Sequence, residues 1–195
     1  MKRFASVIVL LIAFILQTNA QTTWELDRTH SNLDFSVRYM MLSSVRGNYT
    51  DFDAVLVQNN DDFSGSQIEV TINAASIDTR NEDRDNHLRS DDFFDAENNP
   101  QITFVSREFE RTGENIYRIL GDLTIRGVTK AVELDAELVG VVDDPRGFQR
   151  VAFTGETTVN RNDFGVRWNR ALEAGGFVVG ENVNITINAQ FIDQS

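Results

Sequence analysis

Apolar and polar residues alternate along most of the chain after residue 20, and a period of two indicates β-strands with one buried face. The pattern is clearest near the end of the chain, where single polar residues separate Val183, Ile185 and Ile187. Together with less regular runs, the alternation predicts about eight strands. They lie near residues 32–39, 46–58, 68–74, 101–111, 115–125, 132–138, 151–159 and 183–191.

Turn-forming residues separate these runs, at 59–62, 112–115 and 143–147. Pro100 and Pro145 both fall between strands, where no ladder hydrogen bond is lost. Only residues 79–94 break the rhythm, and their charge density is typical of a short solvated helix or a lid. The chain therefore reads as one antiparallel all-β domain with a short helical segment.

Eight antiparallel strands can close into a barrel or stack as a sandwich. Several predicted strands are longer than the usual ~5 to 6 residues, and closure removes the exposed edges that long strands would leave. An eight-stranded barrel is either filled by side chains or holds one small ligand. The inward faces are apolar, so any ligand should be apolar. The predicted lining is Leu33, Phe35, Val37, Tyr39, Ile68, Val70, Ile72, Phe104, Leu123, Ile125, Leu134, Phe153, Val159, Ile185 and Ile187.

The first twenty residues have the pattern of a secretory signal peptide. Lys2 and Arg3 precede an uncharged apolar run, and small residues at Thr18 and Ala20 favour cleavage after Ala20. A membrane anchor is the weaker alternative, because the run has about 13 residues and a spanning helix needs roughly 20. We therefore expect a domain at 21–195 in the periplasm or outside the cell.

Composition removes several classes of function. Asp and Glu total 30 against 18 Lys and Arg, giving a net charge of −12, which disfavours binding to nucleic acid. There is no cysteine, so disulfides and cysteine nucleophiles are excluded. Asp83 and His87 are spaced to share a helical face, but two ligands do not make a metal site, and a structural hydrogen bond is the favoured interpretation. We expect no metal and no cofactor.

An ordered set of short segments resembles the YceI-like family of bacterial polyisoprenoid-binding proteins, over residues 24–191. The segments are HS at 30–31, FSVR at 35–38, VRG at 45–47, ASIDT at 75–79, RDNHLRS at 84–90, DFFD at 92–95, PQITF at 100–104, GDLTIRGVTK at 121–130 and NRNDFG at 160–165. The resemblance implies a lipocalin-like eight-stranded barrel whose tunnel takes a long isoprenoid or similar lipid. Many relatives have a histidine where this chain has Tyr39.

The polar end of such a ligand needs hydrogen-bond donors at the barrel mouth. The candidates are Arg80, Arg84, His87, Arg89, Arg126 and Lys130. The alternative is that these cations pair with neighbouring acids on a solvated surface. Phe93 and Phe94 either gate the tunnel or fasten the helix to the barrel, and as neighbours on a strand they would face opposite sides.

The sequence supports binding rather than catalysis. His30 and Ser31 with an aspartate could compose a hydrolase triad, but the chain has no GxSxG motif. The prediction is a carrier without catalytic residues for a long apolar lipid, such as an isoprenoid quinone or a polyprenyl phosphate. It is compatible with transient membrane contact and with a homodimer. The alternatives are a small hydrolase or isomerase with an apolar substrate, and a filled barrel that serves as an interaction module.

Overall fold

One antiparallel sheet closes on itself in the computed structural model, which describes residues 21–173 and 175–194. The expected signal peptide at 1–20 lies outside the described residues. The strands are β1 Thr22–Leu26, β2 Asn32–Tyr39, β3 Ser43–Tyr49, β4 Phe52–Gln58, β5 Gln67–Asn73, β6 Ile77–Asp78, β7 Gln101–Arg111, β8 Ile116–Ile125, β9 Val128–Asp143, β10 Gln149–Asn160 and β11 Val179–Asp193. The helix α1 spans Glu82–Arg89.

Strand β1 closes the ring, because it pairs with β4 on one side and with the end of β11 on the other. The closed ring runs β1, β4, β5, β7, β8, β9, β10, β11 and back to β1. It therefore has eight strands, and the predicted eight-stranded antiparallel barrel is confirmed. The remaining strands β2, β3 and β6 extend the ring on one side, where β2 pairs with β11 and β3 pairs with β2 and β6.

The strand count exceeds eight because three long strands are bent at neighbouring points. Short 3-10 turns at Arg28–His30 and Ala74–Ser76 interrupt two of them, and Thr50 and Asp51 interrupt the third. The Thr50 backbone N–H donates to the Ser76 carbonyl at 3.1 Å, and the Asn73 backbone N–H donates to the Asp51 carbonyl at 2.9 Å. These bonds satisfy polar groups that the broken ladder would leave unpaired.

An aromatic cluster fills one end of the barrel, which we call the base. Phe63 enters from the loop at 59–66, with ring centroids 6.0 Å from Trp24 and 5.4 Å from Phe153. Phe109 and Tyr117 complete the cluster, and the Tyr117 hydroxyl donates to the Asp62 carbonyl at 2.7 Å. The base thus supplies the densest part of the core.

The opposite end is covered by two connections, which we call the cap: residues 79–100, which contain α1, and residues 161–178. Arg126, in the β8–β9 hairpin at the same end, donates to the Phe93 carbonyl at 2.8 Å. The two ends of the barrel are therefore closed differently, one by aromatic side chains and the other by connections between strands.

A charged cluster near the base links three parts of the barrel. Arg150 in β10 bonds Asp27, at the end of β1, at 2.6 Å and Asp144, in the β9–β10 turn, at 3.0 Å. Burial alone would raise the pKa of both carboxyl groups, but the hydrogen bond from Arg150 and further donors lower each pKa to about 2. The ionised carboxylates of Asp27 and Asp144 are therefore stabilised by the folded state relative to the unfolded state.

We predict that Arg150→Gln moves acid unfolding to higher pH. The folded-state pKa values lie below the unfolded ones, so these groups stabilise the fold above about pH 4, and that stability is lost as the pH falls towards 2. Circular dichroism across pH 1 to 6 measures the midpoint. The control is Arg107→Gln, which removes an exposed ion pair with Asp122. Identical acid midpoints for the two variants would contradict the prediction.

We also predict that Gly47→Ala destabilises the barrel. Gly47 lies opposite Phe35, and an added Cβ would come within 2.7 Å of both the Phe35 ring and the Asp78 carbonyl oxygen. Overpacking of this kind lowers the free energy of unfolding by about 1 to 3 kcal/mol. Urea denaturation measures the loss. Gly140→Ala is the matched control, since nothing lies within 4 Å of its Cβ position, and equal effects of the two changes would refute the steric argument.

Candidate functional site

An apolar cavity of about 230 Å³ lies inside the barrel. Its wall is formed by the inward faces of the strands and by residues of the cap, and the period-two alternation predicted part of it. The predicted residues that line it are Leu33, Phe35, Val37, Ile68, Val70, Ile72, Phe104, Leu123, Ile125, Leu134, Phe153, Val159, Ile185 and Ile187. Whether they contact a ligand stays a prediction.

Tyr39 is the predicted lining residue that lies outside the cavity. It ends β2 and begins a tight turn, in which the Leu42 N–H donates to the Tyr39 carbonyl at 3.1 Å. Met40 and Met41 within the turn have φ of 50° and 60°. The strand alternation stops there, and 39% of Tyr39 is exposed to solvent. Whether Tyr39 contacts a ligand in the tunnel stays a prediction.

The cap contributes lining residues that the alternation did not reveal. Leu88, Phe93 and Phe94 come from the first connection, and Phe164 and Val166 from the second. The expectation that Phe93 and Phe94 face opposite sides was wrong, because they lie in a turn rather than a strand, and both line the cavity. The high charge of residues 79–94 concealed these apolar side chains in the sequence.

The two connections of the cap meet through aromatic side chains. The His87 and Trp168 ring centroids are 4.9 Å apart, and Phe93 lies 5.0 Å from His87 and 5.3 Å from Trp168. His87 Nε2 is also 2.9 Å from the Asp92 carboxylate. His87 thus packs within the cap, and its prediction as a head-group ligand remains untested.

The other predicted head-group residues also lie at the capped end, but none lines the cavity. Arg84 donates to the Thr79 hydroxyl at 2.7 Å, and Arg89 donates to the Ala75 carbonyl at 2.7 Å. Arg80 and Lys130 are exposed. In the part of the chain that the structure describes, none of Arg80, Arg84, Arg89, Arg126 and Lys130 forms an ion pair. Arg84 and Arg126 instead donate to backbone carbonyls of the cap, and Arg89 links the cap to the Ala75 and Ile77 carbonyls outside it.

Arg161 is the cation that does line the cavity, and sequence reasoning missed it. It is 6% exposed and donates to the backbone carbonyls of Val166 at 2.6 Å, Gly180 at 2.8 Å, Trp168 at 3.0 Å and Val179 at 3.4 Å. Burial lowers its pKa. These bonds tie the second connection to β11. The NRNDFG segment drew attention to this turn, but the direction of the side chain is not encoded in the motif.

Tyr49 is a second polar residue of the cavity wall that the sequence did not single out. It lies between Leu33 and Ile77 in the sheet, and its ring contacts Phe35 and Phe94 at centroid distances of 5.8 and 6.2 Å. Among the described residues, none forms a hydrogen bond with its hydroxyl. Burial raises its pKa above the ordinary value.

The residues of the alternative hydrolase triad lie elsewhere, at the first bend of the sheet. His30 Nδ1 is 2.9 Å from the Asp27 carboxylate. However, the Ser31 hydroxyl donates to the Asp27 carbonyl at 2.8 Å and accepts from the Gln190 N–H at 3.0 Å. It is engaged by the backbone and not by the histidine, so the geometry does not activate it as a nucleophile.

None of the helices in the described ranges, 21–173 and 175–194, has both the length and the apolar character needed to cross a membrane.

Comparisons with known proteins agree with this architecture. A UPF0312 protein of Staphylococcus epidermidis is 40% identical over 171 residues, which cover 87% of this chain and 97% of that one. The crystal structure of the Campylobacter jejuni YceI protein is 31% identical, with a TM-score of 0.68, covering 81% of this chain and 90% of that one. A polyisoprenoid-binding domain from Saccharophagus degradans is 12% identical, with a TM-score of 0.62 and coverages of 87% and 98%, and shares the fold.

The family model of the YceI-like domain matches residues 24–191, from the first strand of the ring to the last. On this match the chain belongs to the YceI-like family.

Proposed function

We propose that this protein binds and carries a long apolar lipid, such as an isoprenoid quinone or a polyprenyl phosphate, with its tail in the barrel cavity. The observation that carries the proposal is a cavity inside the barrel whose wall is almost entirely aliphatic and aromatic. A lipid tail cannot cross water alone, because each exposed methylene costs about 0.8 kcal/mol. A barrel wall that replaces water around the tail removes this cost.

The size of the cavity limits how the lipid is held. At about 230 Å³ it is smaller than the roughly 300–1,000 Å³ usual for ligand pockets. A long tail therefore needs side-chain movement in the cap, or remains partly outside. The cap suits such movement, because aromatic contacts and side-chain hydrogen bonds hold it, and no ladder of the closed ring has to break. We propose that the lipid enters at this end.

The relatives support the ligand class. The Saccharophagus degradans domain with the same fold is described as polyisoprenoid-binding. At 12% identity this likeness supports a shared fold. That this chain binds a ligand of the same class is part of our proposal. The cavity also favours a carrier over an interaction module with a filled barrel, because the interior retains space.

Catalysis in the cavity is the less supported alternative. Among the described lining residues, the ionisable ones are Asp34, Tyr49 and Arg161. Asp34 is exposed to solvent, Arg161 is bonded to four carbonyls, and the protonated Tyr49 hydroxyl has no base beside it. No pair of groups has the geometry of general acid–base chemistry.

We further propose that the protein works in the periplasm or outside the cell, after removal of residues 1–20, and contacts a membrane transiently. The β2–β3 turn supports the contact. Met41 is 69% exposed and Leu42 is 85% exposed, and Phe177 beside them is 54% exposed. Arg38 and Arg46 flank this apolar tip, which suits a surface of lipids with anionic head groups.

We predict that Gly155→Leu blocks the cavity and weakens lipid binding. A Cβ at Gly155 makes ordinary contacts with the inward side chains of Leu134 and Ile187, at 3.5 and 3.8 Å, so the larger side chain extends into the cavity. Excluding two methylenes of ligand forfeits about 1.6 kcal/mol, so Kd should rise roughly tenfold or more. Titration with a fluorescent polyene fatty acid measures the change.

Gly155→Ala is the control for this experiment, because its Cβ fits without displacing a neighbour. It should bind the polyene with a Kd within about twofold of the unchanged protein, since one methyl group occupies little of the cavity. Circular dichroism establishes that both variants are folded. Unchanged binding by folded Gly155→Leu would overturn the placement of the lipid in the cavity.

A further inference from the structure

Tyr49 carries a polar atom that the folded chain leaves unused. Its side chain lines the cavity, and its ring is held by edge contacts with Phe35 and Phe94. The other tyrosine within the barrel, Tyr117, donates to a backbone carbonyl. Among the described residues, Tyr49 has no such partner.

Tyr49 is half-buried, and a hydroxyl that lines an apolar cavity without a partner is less favourable than a hydrogen-bonded one. Native proteins pair most buried polar groups, so an exception calls for an explanation. Here the residue lines the apolar cavity in which we propose that the lipid tail is bound. A bound lipid with an oxygen atom next to Tyr49 would accept a hydrogen bond from this hydroxyl.

We propose that the Tyr49 hydroxyl is a hydrogen-bonding site for a neutral oxygen of the bound lipid, a carbonyl such as that of a quinone ring. This inference rests on the proposed lipid-binding function and specifies the ligand chemistry. The tyrosine donates, and the carbonyl oxygen accepts.

The surroundings of Tyr49 favour a neutral group over a phosphate. Burial keeps the phenol protonated, so it is a neutral donor. Arg161, the cation that lines the cavity, donates to the Gly180 carbonyl in β11. Tyr49 pairs with Leu33 in β2, and Leu33 pairs with Ile187 in β11. Seven residues of strand separate these points, roughly 20 Å. Arg89 donates to the carbonyl of Ile77, the sheet neighbour of Tyr49, but it does not line the cavity. A phosphate inside the apolar cavity beside Tyr49 would therefore lose its water without a cation of the lining next to it, which is unfavourable.

The test compares Tyr49→Phe with the unchanged protein, using two probes that share an alkyl tail. Decylubiquinone carries ring carbonyls, and decylbenzene carries none. Loss of one neutral hydrogen bond should raise the Kd for decylubiquinone about three- to tenfold. The Kd for decylbenzene should change less than about twofold, because the phenyl ring of the variant keeps the apolar contacts.

A stability measurement separates this role from a structural one. In the empty protein, Tyr49→Phe should leave the thermal midpoint unchanged or raise it, because it removes an unpaired polar atom. With decylubiquinone, the ligand-induced rise in the midpoint should be smaller than for the unchanged protein. Tyr39→Phe is the matched control, since it makes the same change at a residue outside the cavity, and it should alter neither measurement.

Equal weakening for both probes, or unchanged binding of decylubiquinone by Tyr49→Phe, overturns the inference while the proposed function stands. A lower midpoint of the empty variant also overturns it, since the hydroxyl would then have a partner in the folded chain. If the unchanged protein binds neither probe, the proposed function fails and the inference with it.

Discussion

Closure of the sheet between β1 and β11 is the interaction on which the rest of the structure depends. It is short, pairing Trp24, Glu25 and Leu26 with Asp193, Ile192 and Phe191, yet it removes the two free edges of the ring. Once every strand has two neighbours, the backbone of the wall is satisfied by the wall itself. The barrel is then stable without an interior that is completely filled by side chains. The aromatic base supplies dense packing at one end, and space remains above it.

The wall and the cap are held by different interactions. Continuous ladders hold the ring, whereas arginine side chains that donate to backbone carbonyls, and a cluster of three rings, hold the cap. Elements with few ladder bonds open at lower free energy than the sheet around them. This division suits the proposed function, because entry of a large apolar molecule would disturb the cap and leave the wall intact.

The wall of the cavity could be predicted from the sequence because strand periodicity fixes which face each residue occupies. Leu33, Phe104 and Ile185 lie inward for this reason alone. Tyr39 lies outside the cavity at the end of β2, and the alternation gives no sign that the strand turns away there. The bends at Arg28–His30 and Ala74–Ser76 were equally hidden, because polar residues there resemble any other turn.

The polar features of the site lay beyond sequence reasoning for a different reason. The predicted head-group cations came from the helical segment and from beside the loop at Gly127, but three of those arginines donate to backbone carbonyls, Arg84 to Thr79, Arg89 to Ala75 and Arg126 to Phe93. Arg161 and Tyr49 look ordinary in the sequence. What distinguishes them is where the side chain lies and which partners it has or lacks, and both depend on contacts between distant strands.

The central claim is that the space inside the barrel shelters a lipid. Native mass spectrometry of the protein purified from its own source without detergent tests it most directly. The account predicts a population heavier than the chain by a discrete mass, which organic solvent releases as an unaltered hydrophobic molecule. A bare chain under all gentle conditions, or a bound molecule that the protein converts chemically, would contradict it.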